Sequence, residues 1–396
     1  MSVALSSQTY GGEHVLASPA LAAPRQYGLD ALRAVMTLLV VFHHTAITYG
    51  ALGGWFYREV RPDNSVGSLV LIAFVTLNQA YFMGLFFLLA GYFTPDAVRR
   101  HGAIGFLKER LVRLGLPLLF FGFVLGPATI ALAQTSRDRS FWATLRDLWS
   151  RFVFEVGPLW FVEALLIFVF AYVAGQALAS RFRGMSCAKR HPYGFPSNGA
   201  LLLAALGTGA AAFILRLVWP VATQVFGLQL GYFASYIVLF VAGCLAADAD
   251  WLRNIPAGPR RLWSRIAMIC GPILFLLMLL APSVPALQGR PEGGWTLPAA
   301  VYAFWEPLVA WGLILALISA FQRRFVRLDG FWNPLTRRAY AIFIIHPPVL
   351  VGLALVWRNI EAPHLVKFAV TGITACLVCY LIAGMLLRVP GVRRII

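Results

Sequence analysis

Arg33 and His44 stand eleven positions apart in YGLDALRAVMTLLVVFHH (27–44), a largely apolar run. At 100° per residue, eleven positions fall within about 20° of three full helical turns, so both side chains point to one face. Their axial separation is about 16 Å at 1.5 Å per residue. A guanidinium recognises phosphate through its planar fork. An imidazole is the usual base for a hydroxyl that must attack a carbonyl near neutral pH. A thioester donor such as an acyl-coenzyme A carries both a phosphorylated end and a reactive carbonyl. One face of one helix thus offers a holder for the first and a base for the second. His43, the neighbouring imidazole, points roughly 80° away from this face.

Few other ionisable groups fall within apolar stretches, and each is costly there, which makes it a functional candidate. They are Asp30, Glu163, Arg216, Glu306 and His346. Counted from the expected span ends, His44, Glu163 and Glu306 lie at one depth, roughly 8–12 Å below one membrane surface. They are expected to converge on one polar pocket, with a carboxylate orienting the imidazole. His346 is expected nearer the level of Arg33, on the donor side. Lys108, Arg110 and Arg113 form a basic cluster suited to donor phosphates. Arg216 is a spare cation for an acyl group that itself bears a carboxylate.

These residues must be positioned by membrane helices. The chain has 396 residues, 60% hydrophobic and 12% charged, with mean hydropathy +0.74. A soluble domain carries about twice that charge. Ten spans are expected, near 28–50, 68–94, 114–134, 158–180, 198–218, 226–247, 265–283, 298–321, 338–357 and 365–388. The net charge of +17 follows the spans. About 22 of the 33 basic residues fall with the termini and alternate loops, and about nine in the opposite loops. This puts both termini in the cytoplasm and ties the basic character to topology and anionic lipid rather than to nucleic acid. The fold class is therefore all-α and polytopic. Residues 1–26 read as a disordered cytoplasmic tail, 27–388 as the membrane domain and 389–396 as a short basic cytoplasmic tail. The stretch 95–113 reads as an amphipathic surface helix, and loop 135–157 as an interfacial cap on the opposite side. Cys376 and Cys379 form C-x-x-C inside an apolar run with no other ligand type nearby, which reads as helix packing and not as a metal site.

The same residues carry a resemblance. Residues 27–44 resemble the opening span of the acyltransferase-3 family of bacterial membrane O-acyltransferases, whose signature is an Arg, ten residues and a His. FFLLAGYFTP (86–95), FLKERLVRLGLP (106–117), GPLWFVEALL (157–166), SYIVLFVAGCLAA (235–247) and YAIFIIHPPVL (340–350) resemble its later blocks, with Ala90 where the family usually has Ser. Trp305–Pro307 and the prolines after His346 look like the branch that includes glucan succinyltransferases. The resemblance implies acyl-CoA as a cytoplasmic donor substrate and no permanently bound cofactor. It implies a hydroxyl acceptor on a glycan, lipid or small molecule, with acetyl or succinyl as the acyl group. It implies that Arg33 helps hold the donor, that Arg110 and Arg113 support donor binding or loop structure, and that His44 is the catalytic base or acid. The location implied is the bacterial inner membrane. A transporter or exporter without acyl chemistry is the competing reading, and it predicts no consumption of thioester.

Overall fold

The computed structural model describes residues 26–183 and 194–396. The tail expected over 1–26 lies outside them, apart from Gln26. Among the described residues the regular structure is helical, with two isolated β-bridges and no longer strand. The helices are α1 (Tyr27–Thr48), α2 (Val66–Arg110), α3 (Leu116–Phe120), α4 (Gly126–Gln134), α5 (Phe141–Ser150), α6 (Trp160–Arg183), α7 (Asn198–Val218), α8 (Phe233–Ala249), α9 (Ala257–Leu280), α10 (Leu297–Arg324), α11 (Trp332–Val356), α12 (His364–Leu386) and α13 (Pro390–Ile395). Side-chain oxygens set several starts. Ser65, Ser140, Ser197 and Thr296 each accept from the backbone N–H three residues on, opening α2, α5, α7 and α10.

Nine helical stretches among the described residues are long and apolar enough to cross a membrane. One of them, Val66–Arg137, runs 72 residues. At 1.5 Å per residue it is far longer than the roughly 30 Å of a hydrocarbon core. It contains both the second and the third expected span. The break is at Gly102, whose φ of 68° and ψ of 165° leave the helical region. Glycine alone takes this geometry without strain. Beyond it the helix continues through π-helical turns at Leu111–Gly115 and Phe121–Leu125. The surface helix expected over 95–113 is therefore the end of α2 and the start of the next crossing. Loop 135–157 carries the short helix α5, which buries Leu145 and Leu148 while the Trp149 indole donates to the Phe123 carbonyl at 2.9 Å.

The central packing is backbone against backbone. A Cβ on Gly91 of α2 would stand 2.1 Å from the Phe240 carbonyl oxygen, and one on Gly243 of α8 would stand 2.1 Å from that of Leu88. In lipid, where no hydrophobic force separates helix from solvent, such close crossings supply the van der Waals contact. Both glycines fall in blocks that carry the family resemblance. Helix α1 packs among α2, α10, α11 and α12, so its functional face is enclosed by other helices.

Replacing Gly243 with Ala is expected to cost about 3 kcal/mol, the upper end for overpacking. Gly207, with nothing within 4 Å of a Cβ, is the control, and Gly207→Ala should be neutral or slightly stabilising. Thermal unfolding of the purified variants in detergent checks both.

Candidate active site

Arg33 opens into a cavity of about 990 Å³ at the end of the bundle where α1 begins and α12 ends. Seven arginines line it: Arg33, Arg110, Arg113, Arg337, Arg338, Arg388 and Arg393. Among the described residues the one acidic residue in the lining is Asp30. Arg33 is exposed, although its helix is otherwise mostly buried. Its exposure is to this cavity. Thr94 and Arg113 both contribute to the lining, although a straight helix would hold them about 28 Å apart. The turn at Gly102 is what allows both to do so. The cavity is fastened by the Tyr340 hydroxyl, which donates to the Arg113 carbonyl at 3.1 Å. Arg338 lies 4.1 Å over the ring of Tyr380. Arg393 and Ile396 bring the C-terminal end of the chain into the wall. So many guanidinium groups around one space make it a site for a polyanion.

Lys108, expected beside Arg110 and Arg113, is exposed and outside this lining. It sits two positions from Arg110, about 200° around the helix, so it turns away when Arg110 turns in. Arg337, Arg338, Arg388 and Arg393 were absent from the expected donor set. In the sequence they are indistinguishable from the basic residues that border any cytoplasmic loop. Ala90 also lines the cavity.

Toward the opposite end of α1 the lining closes at Phe86, Phe161 and Phe343. One turn beyond Phe343 lies His346, fully buried, with its Nε2 3.0 Å from Nδ1 of His44. This corrects the expected level of His346. Helix α11 begins at Trp332, six residues earlier than the span expected from hydropathy. His346 is therefore some 21 Å along its helix and meets His44, some 26 Å along its own.

The prolines after His346 explain the pair. Pro347 has no N–H, so the carbonyl of Phe343, four residues back, lacks its helical donor. His346 Nδ1 lies 2.7 Å from that carbonyl oxygen. A carbonyl can only accept, so Nδ1 carries the proton and donates. Neutral His346 then presents a lone pair at Nε2, and His44 Nδ1 must donate to it. That leaves the lone pair of His44 on Nε2, free for chemistry. The expected carboxylate orienter is replaced by a second imidazole. The His44 ring is also covered by Trp55, stacked at 4.1 Å between centroids and 10° between planes. Trp55 belongs to the loop after α1, and nothing in its sequence neighbourhood marks it.

Neither expected carboxylate joins these rings. Glu306 and Arg216 form an ion pair in which each side chain is 1% exposed. Ser235 Oγ donates to the other Glu306 oxygen at 3.4 Å, and Arg216 Nε donates to the Gly231 carbonyl at 2.9 Å. The rings of Tyr302 and Tyr232 lie 4.9 and 5.3 Å from the guanidinium. Glu306 therefore neutralises Arg216 and does not orient His44, and Arg216 is not a spare cation. Glu163 lies in the first turn of α6, with its Oε2 buried and without a hydrogen-bond partner, next to Gly227. Depth from a span end gives a level in the membrane, but the face a side chain takes depends on the neighbouring helices.

The comparisons with known proteins fit this geometry. A family model described as an acyltransferase domain matches residues 26–384. The chain is similar to proteins named glucans biosynthesis protein C from Salmonella heidelberg (strain SL476) and Salmonella typhi. Identity is 27% over 239 residues in both cases, covering 57% of this chain and 59% of each relative. A protein of the same name from Salmonella paratyphi B is 29% identical over 149 residues, 37% of each chain. The matched region thus spans under two thirds of these relatives. No solved structure matches the chain.

Glu306→Ala is expected to destabilise the protein by roughly 3–5 kcal/mol, because it strands a buried guanidinium. Replacing both partners, Arg216→Met with Glu306→Leu, should recover most of that loss. Thermal unfolding decides; a Glu306→Ala protein of wild-type stability and no turnover would instead mark Glu306 as catalytic.

Proposed function

Since the chain belongs to the acyltransferase-3 family of membrane acyltransferases, we propose that it moves an acyl group from acyl-CoA to a hydroxyl of a glucan or related envelope glycan. The observation that carries the proposal is one arrangement on one helix. Arg33 faces an arginine-lined cavity, and eleven residues along the same helix an imidazole keeps a free lone pair on Nε2.

The residues divide the work as follows. The arginine-lined cavity is on the cytoplasmic side, by the excess of Lys and Arg in the loops that share it with the termini. Arg33, Arg110 and Arg113 hold the donor phosphates there, with Arg337, Arg338, Arg388 and Arg393 around them. The pantetheine arm extends past Phe161 and Phe343, over the roughly 16 Å from Arg33 to His44. The acceptor hydroxyl arrives from the periplasmic side of the bacterial inner membrane. His44 Nε2 takes its proton as the oxygen attacks the thioester carbonyl. His346 holds the His44 ring in the required tautomer and orientation, as a carboxylate does in hydrolase triads. His346 thus serves the base and not the donor. Holding both reactants in one dry site supplies much of the rate. The glucan acceptor is supported by the name of the Salmonella relatives, and acetyl and succinyl are the acyl groups to try first.

The test is thiol release from acetyl- and succinyl-CoA by protein purified with native lipids, with an envelope extract as acceptor source. His44→Ala should lower turnover by about 10²–10⁴-fold, the usual contribution of a general base. Arg33→Ala should raise the donor KM more than it lowers kcat. His346→Gln should lower kcat with little change in donor KM. Thiol release that is independent of His44, or no release with any donor and a broad extract, would overturn the proposal and favour transport.

A further inference from the structure

The acyl-transfer reading leaves one chemical need unfilled: a donor for the negative charge that develops on the thioester carbonyl oxygen. Arg33, the cavity arginine on the same helix, lies about 16 Å from His44 along α1. The rings in contact with His44 are His346, His43 and Trp55. His346 has committed its one N–H to the Phe343 carbonyl. His43 sits edge-on to His44 at 87° and stacks on Phe82.

Trp55 and His43 each hold a buried nitrogen without a hydrogen-bond partner, Nε1 and Nδ1 respectively. They differ in chemistry and placement: an indole N–H can only donate, whereas an imidazole nitrogen also accepts, and the indole is the ring that lies flat over His44. A buried donor left unpaired calls for an explanation, and beside a reactive ring a bound or reacting group supplies one. The indole is nearly parallel to both imidazoles of the pair, 10° from each, with centroids 4.1 Å from His44 and 5.9 Å from His346.

The loop that carries Trp55 is held in place. The N–H groups of Glu59 and Val60 donate to the Thr48 carbonyl at 2.9 and 3.1 Å. Ser68 Oγ donates to the Gly50 carbonyl at 2.5 Å, where Gly50 takes a φ of 122°. Lys367 of α12 pairs with Glu59, with side chains only 9% and 12% exposed. A donor meant for a reacting atom must be fixed in advance, and these ties fix the backbone on the C-terminal side of Trp55 and at the turn before it.

We propose that the Trp55 indole N–H is the oxyanion donor of the transfer reaction, a catalytic residue that rests on the acyl-transfer reading above. The acceptor oxygen approaches His44 Nε2 in the plane of the imidazole and bonds to the carbonyl carbon, while Nε2 takes the hydroxyl proton. The carbonyl π pair moves onto the carbonyl oxygen, out of that plane and toward the indole layer. Trp55 Nε1–H donates to this oxygen. The pair then returns to re-form C=O, the C–S bond breaks, and the thiolate leaves with the proton from His44 Nε2. The same ring shields the imidazole from water on the acceptor side, which strengthens the hydrogen bond.

Trp55→Phe keeps an aromatic ring over His44 and removes only the N–H; Trp55→His restores a ring N–H. Thiol release from acetyl- and succinyl-CoA, with envelope extract, is measured for the full chain in native lipids, beside His44→Ala and with thermal unfolding of each variant. Trp55→Phe is expected to lose about 100-fold in kcat, with donor KM and unfolding temperature unchanged, and Trp55→His to regain at least about tenfold of it. Trp55→Phe within threefold of wild type, or the two variants equally impaired, would overturn the assignment. In the second case the indole serves as a stacking surface only. Full turnover in His44→Ala would sink the underlying reading; no turnover there with full turnover in Trp55→Phe would sink this inference alone.

Discussion

An ionisable side chain moved from water to the middle of a bilayer loses hydration worth several kcal/mol, and the protein must return it. This cost organises the structure. Arg216 is returned its hydration by Glu306, a backbone carbonyl and two tyrosine rings. Lys367 is returned it by Glu59 and the carbonyls of Trp357 and Arg358. Arg33 avoids the debt by facing a cavity. His44 and His346 meet it as neutral rings that hydrogen-bond each other. The Arg216–Glu306 and His44–His346 pairs tie helices together, α7 to α10 and α1 to α11, and Lys367 ties α12 to two loops, so polar groups in the protein act as joints of the bundle.

The joints differ in what they leave over. In the Arg216–Glu306 joint the charges cancel and both carboxylate oxygens accept hydrogen bonds, while Arg216 Nη1 is left without a partner. The imidazole joint leaves a lone pair on His44 Nε2, because the chain of donors that begins at the Phe343 carbonyl ends there. The proline at 347 is the origin of that chain. A missing backbone N–H on α11 thereby sets which nitrogen of a ring on α1 is basic. The same helix supplies Tyr340, Arg338 and Arg337 to the cavity about two to three turns below. The arginine-lined cavity and the imidazole pair are thus aligned by two helices, α1 and α11, packed against each other.

Much of this was legible in the sequence where the governing quantity is local. Helical phase is a property of one helix, so the shared face of Arg33 and His44 could be read from their spacing. Span number follows from apolar length and basic loops, and the one merged stretch, Val66–Arg137, still holds the two expected crossings. The basic segment at Arg110 and Arg113 was legible as a cluster, although its third member, Lys108, turned out to lie on the other side of the helix. Glu306 shows where such reading ends. Its depth was sound as a distance along a helix, yet its partner is Arg216, ninety positions away in sequence.

The sequence by itself determined that the chain lives in a membrane, that its helices are about ten, and that one of them carries a cation and a base in register. Those properties come from composition and from a period of 3.6 residues, which need no neighbour to be defined. Only the tertiary structure decided that His346 meets His44, that Glu306 belongs to Arg216, that seven arginines from five segments share one cavity, and that Trp55 covers the His44 ring. Each of these depends on which way a helix is rotated about its own axis and on how a loop returns across the bundle end. That rotation is set by mutual packing, such as the Gly91–Gly243 crossing, where two backbones come too close for any side chain to intervene.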